Sequence, residues 1–467
     1  MKCLLINAPQ KFRRFEENLR TVSEDFGVYP PLNLAYIAAM MEEKGHKPKI
    51  IDANALKLTK KEALSEARPF KPDIILFNLH SVYNFRDTVK WISFFKKAYG
   101  VPIIVGGLTA RSYTKEVLSY PCIDFVYLGS VLNNFIDFIE TLHKGENYSD
   151  MPGVCFRIGK KVKINQPQSY KEDLDSLPLP ARHLLPNDKY YQFISKRKNF
   201  TIMLSSVGCP YNCSFCCIPF IWYKARDPQK VVDEMEECYK KYGVREIDFF
   251  DACFTVSKKR VIEMCRELRR RGLDIHWSCR ARIDNVDDEM LREMSWAGCK
   301  RIYYGIETID KATQKKIRKT LSQQKIEEAI SLTKKHDILT LGFFMIGNEG
   351  DTRRTALNNV AFAKKLGLDY VQFSRTIAKP DSELNEKLIK ITGKDYWRDY
   401  ILGKVRDRRL PNPWSNLSEK QIERYTQLSY ILFYFRPVYL LKYLLTMKSF
   451  HEFKRTAVSA YKMIFIK

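Results

Sequence analysis

Three closely spaced cysteines are the residues of this sequence best suited to chemistry. Cys209, Cys213 and Cys216 stand at C-x3-C-x2-C spacing in the stretch GCPYNCSFCCIPF. Short spacings on one loop allow thiolates to wrap a 4Fe–4S cluster. Three thiolates leave one iron without a protein ligand, and a substrate or cofactor can bind at that iron. The spacing therefore predicts a 4Fe–4S cluster with an open coordination position.

Two other interpretations of the cysteines remain. A structural zinc site takes four ligands, usually as two spaced pairs, and the sequence has no second C-x2-C pair. The three thiols could also be buried residues that bind no metal. Cys217, next to Cys216 but outside the motif, shows that cysteine occurs in this stretch without belonging to the spacing. The cluster is the interpretation that accounts for three cysteines rather than four.

Composition indicates a folded cytoplasmic protein. The opening stretch MKCLLINAPQ is too short for the apolar core of a signal peptide. No stretch reaches the ~18 uncharged apolar residues of a membrane span. The net charge is +25, but the basic residues are scattered over most predicted helices, which argues against a nucleic-acid groove. We expect a reducing compartment, where cysteines serve as metal ligands or core residues more often than as disulfides.

The first domain predicted from hydrophobic periodicity spans residues 1–145. Its apolar, strand-like runs are KCLLINAP, KPKIIDA, DIILFNLH, VPIIVGG and DFVYLGS, and amphipathic helical segments separate them. Continuous apolar strands alternating with helices are typical of a parallel sheet covered on both faces. We predict a flavodoxin-like, doubly wound α/β domain whose ligand lies beyond the carboxyl ends of the strands, where strand order reverses.

The rest of the chain divides into three predicted parts. Residues 146–198 form a proline-rich connector that begins with a probable hairpin, CFRIGKKVKINQ. Residues 199–390 contain six further strand–helix units, which predict a partial (β/α)6 TIM-like barrel. Residues 391–467 form a helical C-terminal region rich in Tyr, Phe, Leu and Lys. The cysteines follow the first barrel strand, at the rim where such barrels keep their chemistry.

The cysteine motif resembles the signature of radical S-adenosylmethionine (SAM) enzymes, which has an aromatic residue before the last cysteine, here Phe215. The segments EIDFFDACFT, LDIHWSCRARID, LREMSWAGCKRIYYGIET and LGFFMIGNEGDT resemble rim segments of members that carry an N-terminal cobalamin (B12)-binding domain. That domain is similar to YPPLNLAYIAAMMEEKGHKPKIID, IIVGGLTARSYTKEVL and IDFVYLGS. The tail FYFRPVYLLKYLLTMKSFHEFKR resembles hopanoid methylases and the anaerobic magnesium-protoporphyrin IX monomethyl ester cyclase.

The resemblance implies three cofactors: a 4Fe–4S cluster, SAM and cobalamin. SAM would chelate the open iron through its amino and carboxylate groups. One electron, supplied by a donor such as flavodoxin or ferredoxin, would cleave the sulfonium and form a 5′-deoxyadenosyl radical. The protein would position this chemistry and exclude water from it.

The resemblance and the chemistry of SAM imply roles for four rim residues. Asp251 is assigned to the cationic amino group, and Glu307 to the ribose hydroxyls; the alternative for each carboxylate is a helix cap. Arg280 and Arg282 alternate on one predicted strand and share a face. They are assigned to the methionyl carboxylate, with an ordinary ion-paired strand end as the alternative.

Two apolar residues are assigned to the adenine ring. Phe215 and Ile346 would flank it, and the alternative for both is core packing. The adenine would then lie between the cysteine loop and the end of the strand LTLGFFMIG.

For cobalamin, the resemblance implies a site at the carboxyl edge of the first sheet. The loop after the first strand lacks a D-x-H-x-x-G motif, so cobalt would keep solvent or a weak ligand near Asn7. His80 and Ser81 would lie near the nucleotide tail, and the alternative for His80 is a loop histidine without a role at cobalt. The glycines whose backbone the ligand would approach are Gly106, Gly107 and Gly129.

The favoured reaction is cobalamin-dependent methylation of an unactivated carbon in an apolar or lipid-like intermediate. The alternatives are a cyclase, rearrangement or carbon–carbon coupling enzyme without methyl transfer, and a non-catalytic metal-binding protein. The C-terminal stretch YTQLSYILFYFRPVYLLKYLLTMKSF is apolar and aromatic with interspersed basic residues. It suits either a peripheral helix at the inner, anionic face of the membrane or a helix packed on the barrel.

Overall fold

The computed structural model describes residues 1–10, 27–79, 81–129, 134–168, 173–217, 223–405, 410–437, 439 and 441. These residues divide into two compact units. The first unit is formed by the described parts of Met1–Phe12, Val28–Gln192 and Asp395–Arg408. The second is formed by the described parts of Arg13–Gly27, Phe193–Lys394 and Arg409–Lys467.

A seven-stranded sheet forms the centre of the first unit. Its strands are β1 (Lys2–Asn7), β2 (Lys47–Asp52), β3 (Ile74–Asn78), β4 (Ile103–Gly106), β5 (Phe125–Tyr127), β6 (Val154–Ile158) and β7 (Lys161–Ile164). Their order is β2-β1-β3-β4-β5-β6-β7. Pairing is parallel from β1 to β5 and antiparallel for β6 and β7. The 2-1-3-4-5 order confirms the predicted flavodoxin-like domain and places the reversal of strand order between β1 and β3.

The helices of the first unit alternate with these strands, as periodicity predicted. They span Leu32–Glu43, Lys60–Ala67, Phe85–Tyr99, Leu108–Ser112, Thr114–Leu118, Phe135–Lys144 and Tyr396–Ile401. Local signals set several ends: Thr59 forms a capping box with Glu62, and the left-handed Gly100 closes the helix before it. The strand runs are buried because helices cover a parallel sheet on both faces.

Six parallel strands form the second unit in sequential order. They are β8 (Phe200–Met203), β9 (Glu246–Phe249), β10 (His276–Ala281), β11 (Cys299–Glu307), β12 (Leu339–Ile346) and β13 (Tyr370–Arg375). The helices span Pro228–Tyr242, Lys258–Arg270, Asp288–Trp296, Lys311–Lys316, Gln323–Lys335, Arg353–Lys365, Glu383–Thr392 and Glu419–Tyr434. Right-handed crossovers between sequential strands put the helices on one face. This arrangement confirms the partial barrel and gathers the carboxyl ends of all six strands at one rim.

Shorter elements complete the described chain. Two-residue strands occur at Gly27–Val28, Tyr191–Gln192, Ser206–Val207 and Lys224–Ala225. Single 3-10 turns occur at Arg68–Phe70, Val82–Asn84, Leu174–Ser176, Arg182–Leu184, Asn187–Lys189, Phe254–Val256 and Ile283–Asn285. Among the described helices, none is both long and apolar enough to cross a bilayer.

Strand β9 of the second unit separates an apolar face from a polar face. Ile247 and Phe249 of β9 belong to the hydrophobic core shared with the surrounding helices. Because successive strand residues point to opposite faces, the alternate residues Glu246 and Asp248 face the barrel interior, where both are buried. At β9 the interior therefore presents groups that can bind ions or polar ligands, while the helix side stabilises the fold.

Candidate active site

The three motif cysteines lie on the loop after β8, at the carboxyl rim of the second unit. Cys209, Cys213 and Cys216 are half-buried thiols and form no disulfide. Within the described residues, no three His, Cys, Asp or Glu side chains are grouped as the ligands of one metal ion. A single zinc ion needs its ligands around one centre, whereas a 4Fe–4S cluster distributes thiolates over separate irons. A structural zinc site also takes four ligands, so a motif of three thiolates suits three irons of a 4Fe–4S cluster.

Ser214 anchors the cysteine loop to two neighbouring segments. Its amide donates to the Ile317 carbonyl at 3.2 Å, and its hydroxyl donates to the Lys316 carbonyl at 3.2 Å. Its own carbonyl accepts from the Leu384 amide at 3.0 Å. These bonds hold the backbone between Cys213 and Cys216 in place. Sequence reasoning missed Ser214, because a serine inside a motif carries no signal of a partner about a hundred residues away.

A buried ion pair lies beside Cys213. Lys319 is buried, and its Nζ lies 3.0 Å from Oε1 of Glu307 at the end of β11. Burial raises the pKa of the Cys213 thiol, the charges of Lys319 and Arg282 oppose that rise, and the charge of Glu307 adds to it. The sequence predicted Glu307 but not Lys319. Both cations favour the thiolate, which is the form that ligates iron.

Glu307 adopts a backbone conformation that is rare for a non-glycine residue. Its φ is 65°, in the left-handed region, which costs roughly 1–3 kcal/mol. The β11–β12 register shifts between Gly305 and Glu307, so the irregularity redirects the carboxylate at the rim. Glu307 does not cap the next helix, because the side chain of Asp310 does so.

Asp251 is fully buried after β9 and binds two serines. Its Oδ1 accepts the Ser205 amide at 2.8 Å, and its Oδ2 accepts the Ser205 and Ser206 hydroxyls at 2.5 and 2.6 Å. Burial raises the pKa of Asp251, and these hydrogen bonds partly offset the rise. The following helix is capped by Ser257. The observed contacts join Asp251 to the segment that leads from β8 into the cysteine loop.

Arg280 lies inside the barrel on β10 and is already engaged. Its guanidinium donates to both carboxylate oxygens of Asp248 at 3.2 and 3.1 Å and to the Phe249 carbonyl at 2.6 Å. It also lies 4.1 Å from the ring centre of Phe250 and 5.0 Å from that of Tyr303. These contacts match the alternative of an ion-paired strand residue.

Arg282 follows β10 and stands nearer the cysteines. It binds Asp284 through two hydrogen bonds of 2.9 and 2.8 Å. Its guanidinium lies 3.9 Å from the ring centre of Tyr211, a residue of the cysteine loop. Of the two arginines, Arg282 is the one whose charge acts on Cys213.

The two residues assigned to adenine differ in their surroundings. Phe215 is half-buried on the cysteine loop. Ile346 is fully buried in the core between the sheet and the helices of the second unit. The structure thus places Phe215 at the rim, and Ile346 on the face of β12 that packs against helices.

The residues assigned to cobalamin gather at the carboxyl edge of the first sheet. Asn7 ends β1, Ser81 follows β3, and Gly129 follows β5. The Asn7 amide donates to Oδ1 of the buried Asp52 at 2.8 Å. His80 lies outside the described residues. Parallel strands end at the same edge, so the topology brings these dispersed residues together.

The adjacent glycines after β4 have different reasons to lack a side chain. Gly107 has a φ of 105°, and a Cβ there would lie 2.9 Å from the backbone of Leu79. At Gly106 the nearest atom to such a Cβ would be the Tyr127 carbonyl oxygen, at 3.6 Å. Gly107 is therefore required by the fold, whereas a Cβ at Gly106 would make only an ordinary van der Waals contact. A glycine that the fold does not require fits the predicted close approach of cobalamin to the backbone.

The first unit also contains a cavity that sequence reasoning missed. Its volume is about 590 Å³. It is lined by Arg111, Ser112, Tyr113, Thr114, Lys115, Glu116, Leu128, Ile164, Gln166, Pro167, Asp395 and Arg398. Arg398 and Glu116, both in its lining, form an ion pair of 2.6 Å. Its lining comes from segments far apart in the chain, which explains why no local pattern indicated it.

Two family models match the chain. A radical SAM superfamily model matches residues 203–363, and a B12-binding domain model matches residues 21–135. An uncharacterized methyltransferase of Pyrococcus horikoshii is 30% identical, with 95% of this chain and 94% of that protein covered. The anaerobic magnesium-protoporphyrin IX monomethyl ester cyclase of Cereibacter sphaeroides is 27% identical over 78% of this chain and 61% of its own.

A hopanoid methylase and a solved structure are also similar to the chain. The hopanoid C-3 methylase of Methylococcus capsulatus is 24% identical over 65% of this chain and 58% of its own. The solved structure of OxsB, a cobalamin-dependent SAM radical enzyme with aqua-cobalamin and SAM bound, superposes with a TM-score of 0.71. It is 16% identical, with 99% of this chain and 71% of that chain covered. This likeness establishes the fold.

Proposed function

Because the chain belongs to the radical SAM superfamily and carries a B12-binding domain, we propose that it methylates an unactivated carbon of an apolar or lipid-like biosynthetic intermediate. Its cofactors are a 4Fe–4S cluster, SAM and cobalamin. The observation that carries the proposal is a methyltransferase relative that matches both units over 95% of the chain. The cysteine trio at the barrel rim supplies the chemistry that this likeness requires.

Different residues of the second unit would hold the cluster and SAM. Cys209, Cys213 and Cys216 would ligate three irons, and the cluster would supply the electron that cleaves the sulfonium. Lys319 and Arg282 present cations beside Cys213, and a cation suits the methionyl carboxylate of SAM. We keep Asp251, Glu307, Arg280, Phe215 and Ile346 as proposed contacts or supports of SAM.

Aromatic residues of the barrel interior support the proposal of a substrate with a large apolar surface. Tyr303 and Phe343 stack there with ring centres 6.1 Å apart, and they pack with Leu341, Tyr370 and Ile194. Phe343 and Tyr370 are partly exposed, so an apolar ligand can bury them further. Burial of aromatic surface is a main source of binding energy for apolar ligands.

The test is product analysis under anaerobic conditions with methyl-labelled SAM. The reconstituted protein, given cobalamin and a reductant, is incubated with an extract of apolar metabolites. We expect 5′-deoxyadenosine together with a labelled product, and neither from the Cys213→Ala variant. Formation of 5′-deoxyadenosine with an unlabelled, altered product would refute methyl transfer.

A radical cyclase without methyl transfer is the second candidate. The observation in its favour is the likeness to the magnesium-protoporphyrin ester cyclase over 78% of the chain. The same experiment separates the candidates, because a cyclised product gains no methyl label. A non-catalytic metal-binding protein would form no 5′-deoxyadenosine.

We also propose a cytoplasmic protein with peripheral contact to the inner face of the membrane. Its partners are a small-molecule substrate and an electron donor of the flavodoxin or ferredoxin type, and no nucleic acid. The relative that methylates hopanoids acts on a lipid, which supports a substrate delivered from the bilayer.

A further inference from the structure

The proposed function requires one electron at the cluster for each SAM cleaved, so a protein that donates this electron must dock near the cysteine loop. The helix Lys311–Lys316 and the turn that follows it lie directly against this loop. Ser214, between two of the cysteines, bonds to the carbonyls of Lys316 and Ile317. A protein seated on this segment would therefore contact backbone that bonds directly to the cysteine loop.

The segment is an exposed cluster of cations. Lys311, Lys315, Lys316 and Arg318 are all exposed, and residues 311–321 contain no Asp or Glu. Lys311 and Lys315 have no ion-pair partner within the described residues. Lys316 lies 3.7 Å from Glu349, and Arg318 lies 2.9 Å from Glu383. Both pairs are solvent-exposed, so they remain free to exchange partners.

The start of a neighbouring helix adds positive charge to this surface. Leu384 donates to the Ser214 carbonyl, which places the start of helix Glu383–Thr392 against the loop. Lys387 of that helix pairs with Glu349, so one carboxylate serves both Lys316 and Lys387. The cations around the loop outnumber the carboxylates that pair with them.

We propose that the surface formed by Lys311, Lys315, Lys316, Arg318 and Lys387 is the docking site for a small acidic flavoprotein that reduces the cluster. This proposal rests on the proposed function. The anionic two-electron-reduced flavin of the carrier loses one electron and becomes the neutral one-electron-reduced flavin. The cluster core gains that electron and changes from 2+ to 1+, and no proton moves.

Charge complementarity is the physical basis of the proposal. A cationic patch attracts an acidic partner at long range and orients it before contact. The whole chain carries a net charge of +25, but only a patch beside the cysteine loop combines attraction with a short path to the cluster. Because this attraction acts between exposed charges, salt should screen it.

The test uses the reconstituted full-length protein and a bacterial flavodoxin as the probe. Lys311→Glu and Lys315→Glu are introduced together, since both side chains are exposed and neither forms an ion pair with another described residue. The matched control is Lys300→Glu with Lys364→Glu, which makes the same charge change. Lys300 lies near the amino end of β11, and Lys364 lies in the last turn of helix Arg353–Lys365, so both stand at the opposite end of the barrel.

Two measurements are made on each variant. One is the Kd for oxidised flavodoxin, and the other is the rate of cluster reduction by reduced flavodoxin in stopped flow. We expect the Lys311/Lys315 variant to lose about 10-fold or more in both at low salt, with the difference shrinking as salt is added. The control variant should stay within about 2-fold of wild type.

Equal losses in the two variants, or no loss in either, would overturn the proposal. Dithionite separates this failure from failure of the proposed function. It is a small reductant that needs no docking surface, so dithionite-driven 5′-deoxyadenosine formation should be unchanged in both variants. If wild type forms none with dithionite, the proposed function fails, and the Kd comparison still decides the docking site.

Discussion

At the scale of single residues, the buried pair of Glu307 and Lys319 is the most informative feature of the site. The sequence identified Glu307 because it ends an apolar strand and matches a family segment. Lys319 has no such signal, since it follows a short helix and reaches the site only through the turn at residues 317–319. The pair places opposite charges in a region with little water, where each depends on the other.

We predict that Lys319→Met destabilises the second unit by about 3 kcal/mol, because it leaves the Glu307 carboxylate buried without a cation. Adding Glu307→Gln should recover part of the loss, since the uncompensated charge is then gone. Urea unfolding followed by tryptophan fluorescence measures both variants in one double-mutant cycle. Strictly additive losses would show that the two side chains do not interact.

At the scale of elements, the turn after β4 shows how a strand end prepares a ligand site. The sequence VPIIVGG predicted both the strand and a close approach of a ligand to the two glycines. The structure separates their roles, because only Gly107 has a left-handed φ and lies against the backbone of Leu79. Gly106 has ordinary space around it.

The two glycines give a matched pair of variants. Gly107→Ala should lose more than about 1 kcal/mol of stability, because its conformation and the Leu79 backbone both oppose a Cβ. Gly106→Ala should keep its stability within about 0.5 kcal/mol but bind cobalamin more weakly, if cobalamin approaches the backbone there. Thermal melts and absorbance titrations with hydroxocobalamin measure these effects. Wild-type cobalamin affinity in Gly106→Ala would remove that residue from the proposed site.

At the scale of the whole molecule, the C-terminal region contains a helix that packs on the barrel and a basic segment for which we propose contact with a membrane. Helix Glu419–Tyr434 buries Ile422, Tyr430 and Phe433 in the core of the second unit. The Tyr430 hydroxyl accepts from the Phe373 amide of β13 at 3.1 Å. For this helix, packing on the barrel is therefore the correct alternative. Residues 442–467 lie outside the described residues and carry six Lys or Arg and one Glu.

We predict that deletion of residues 442–467 abolishes sedimentation with phosphatidylglycerol vesicles while leaving the melting temperature unchanged. The basic and apolar composition of the segment suits an anionic bilayer surface. Deletion from residue 420 onward should instead lower the melting temperature, because it removes core side chains. Vesicles of phosphatidylcholine, a lipid with no net charge, are the control. If the variant that lacks residues 442–467 sediments as much as the full chain, the membrane contact is excluded.

The sequence by itself determined the two sheets and the cysteine motif, because both are local. Apolar runs form strands by their own periodicity, and three thiols on one loop are close whatever surrounds them. Tertiary structure alone decided which distant groups meet that loop. Ser214 bonds to carbonyls about a hundred residues away. Lys319 pairs with Glu307 across a turn. Arg280 donates to Asp248 of the neighbouring strand. Contacts of this kind depend on register and backbone path, which leave no periodic trace in the order of residues.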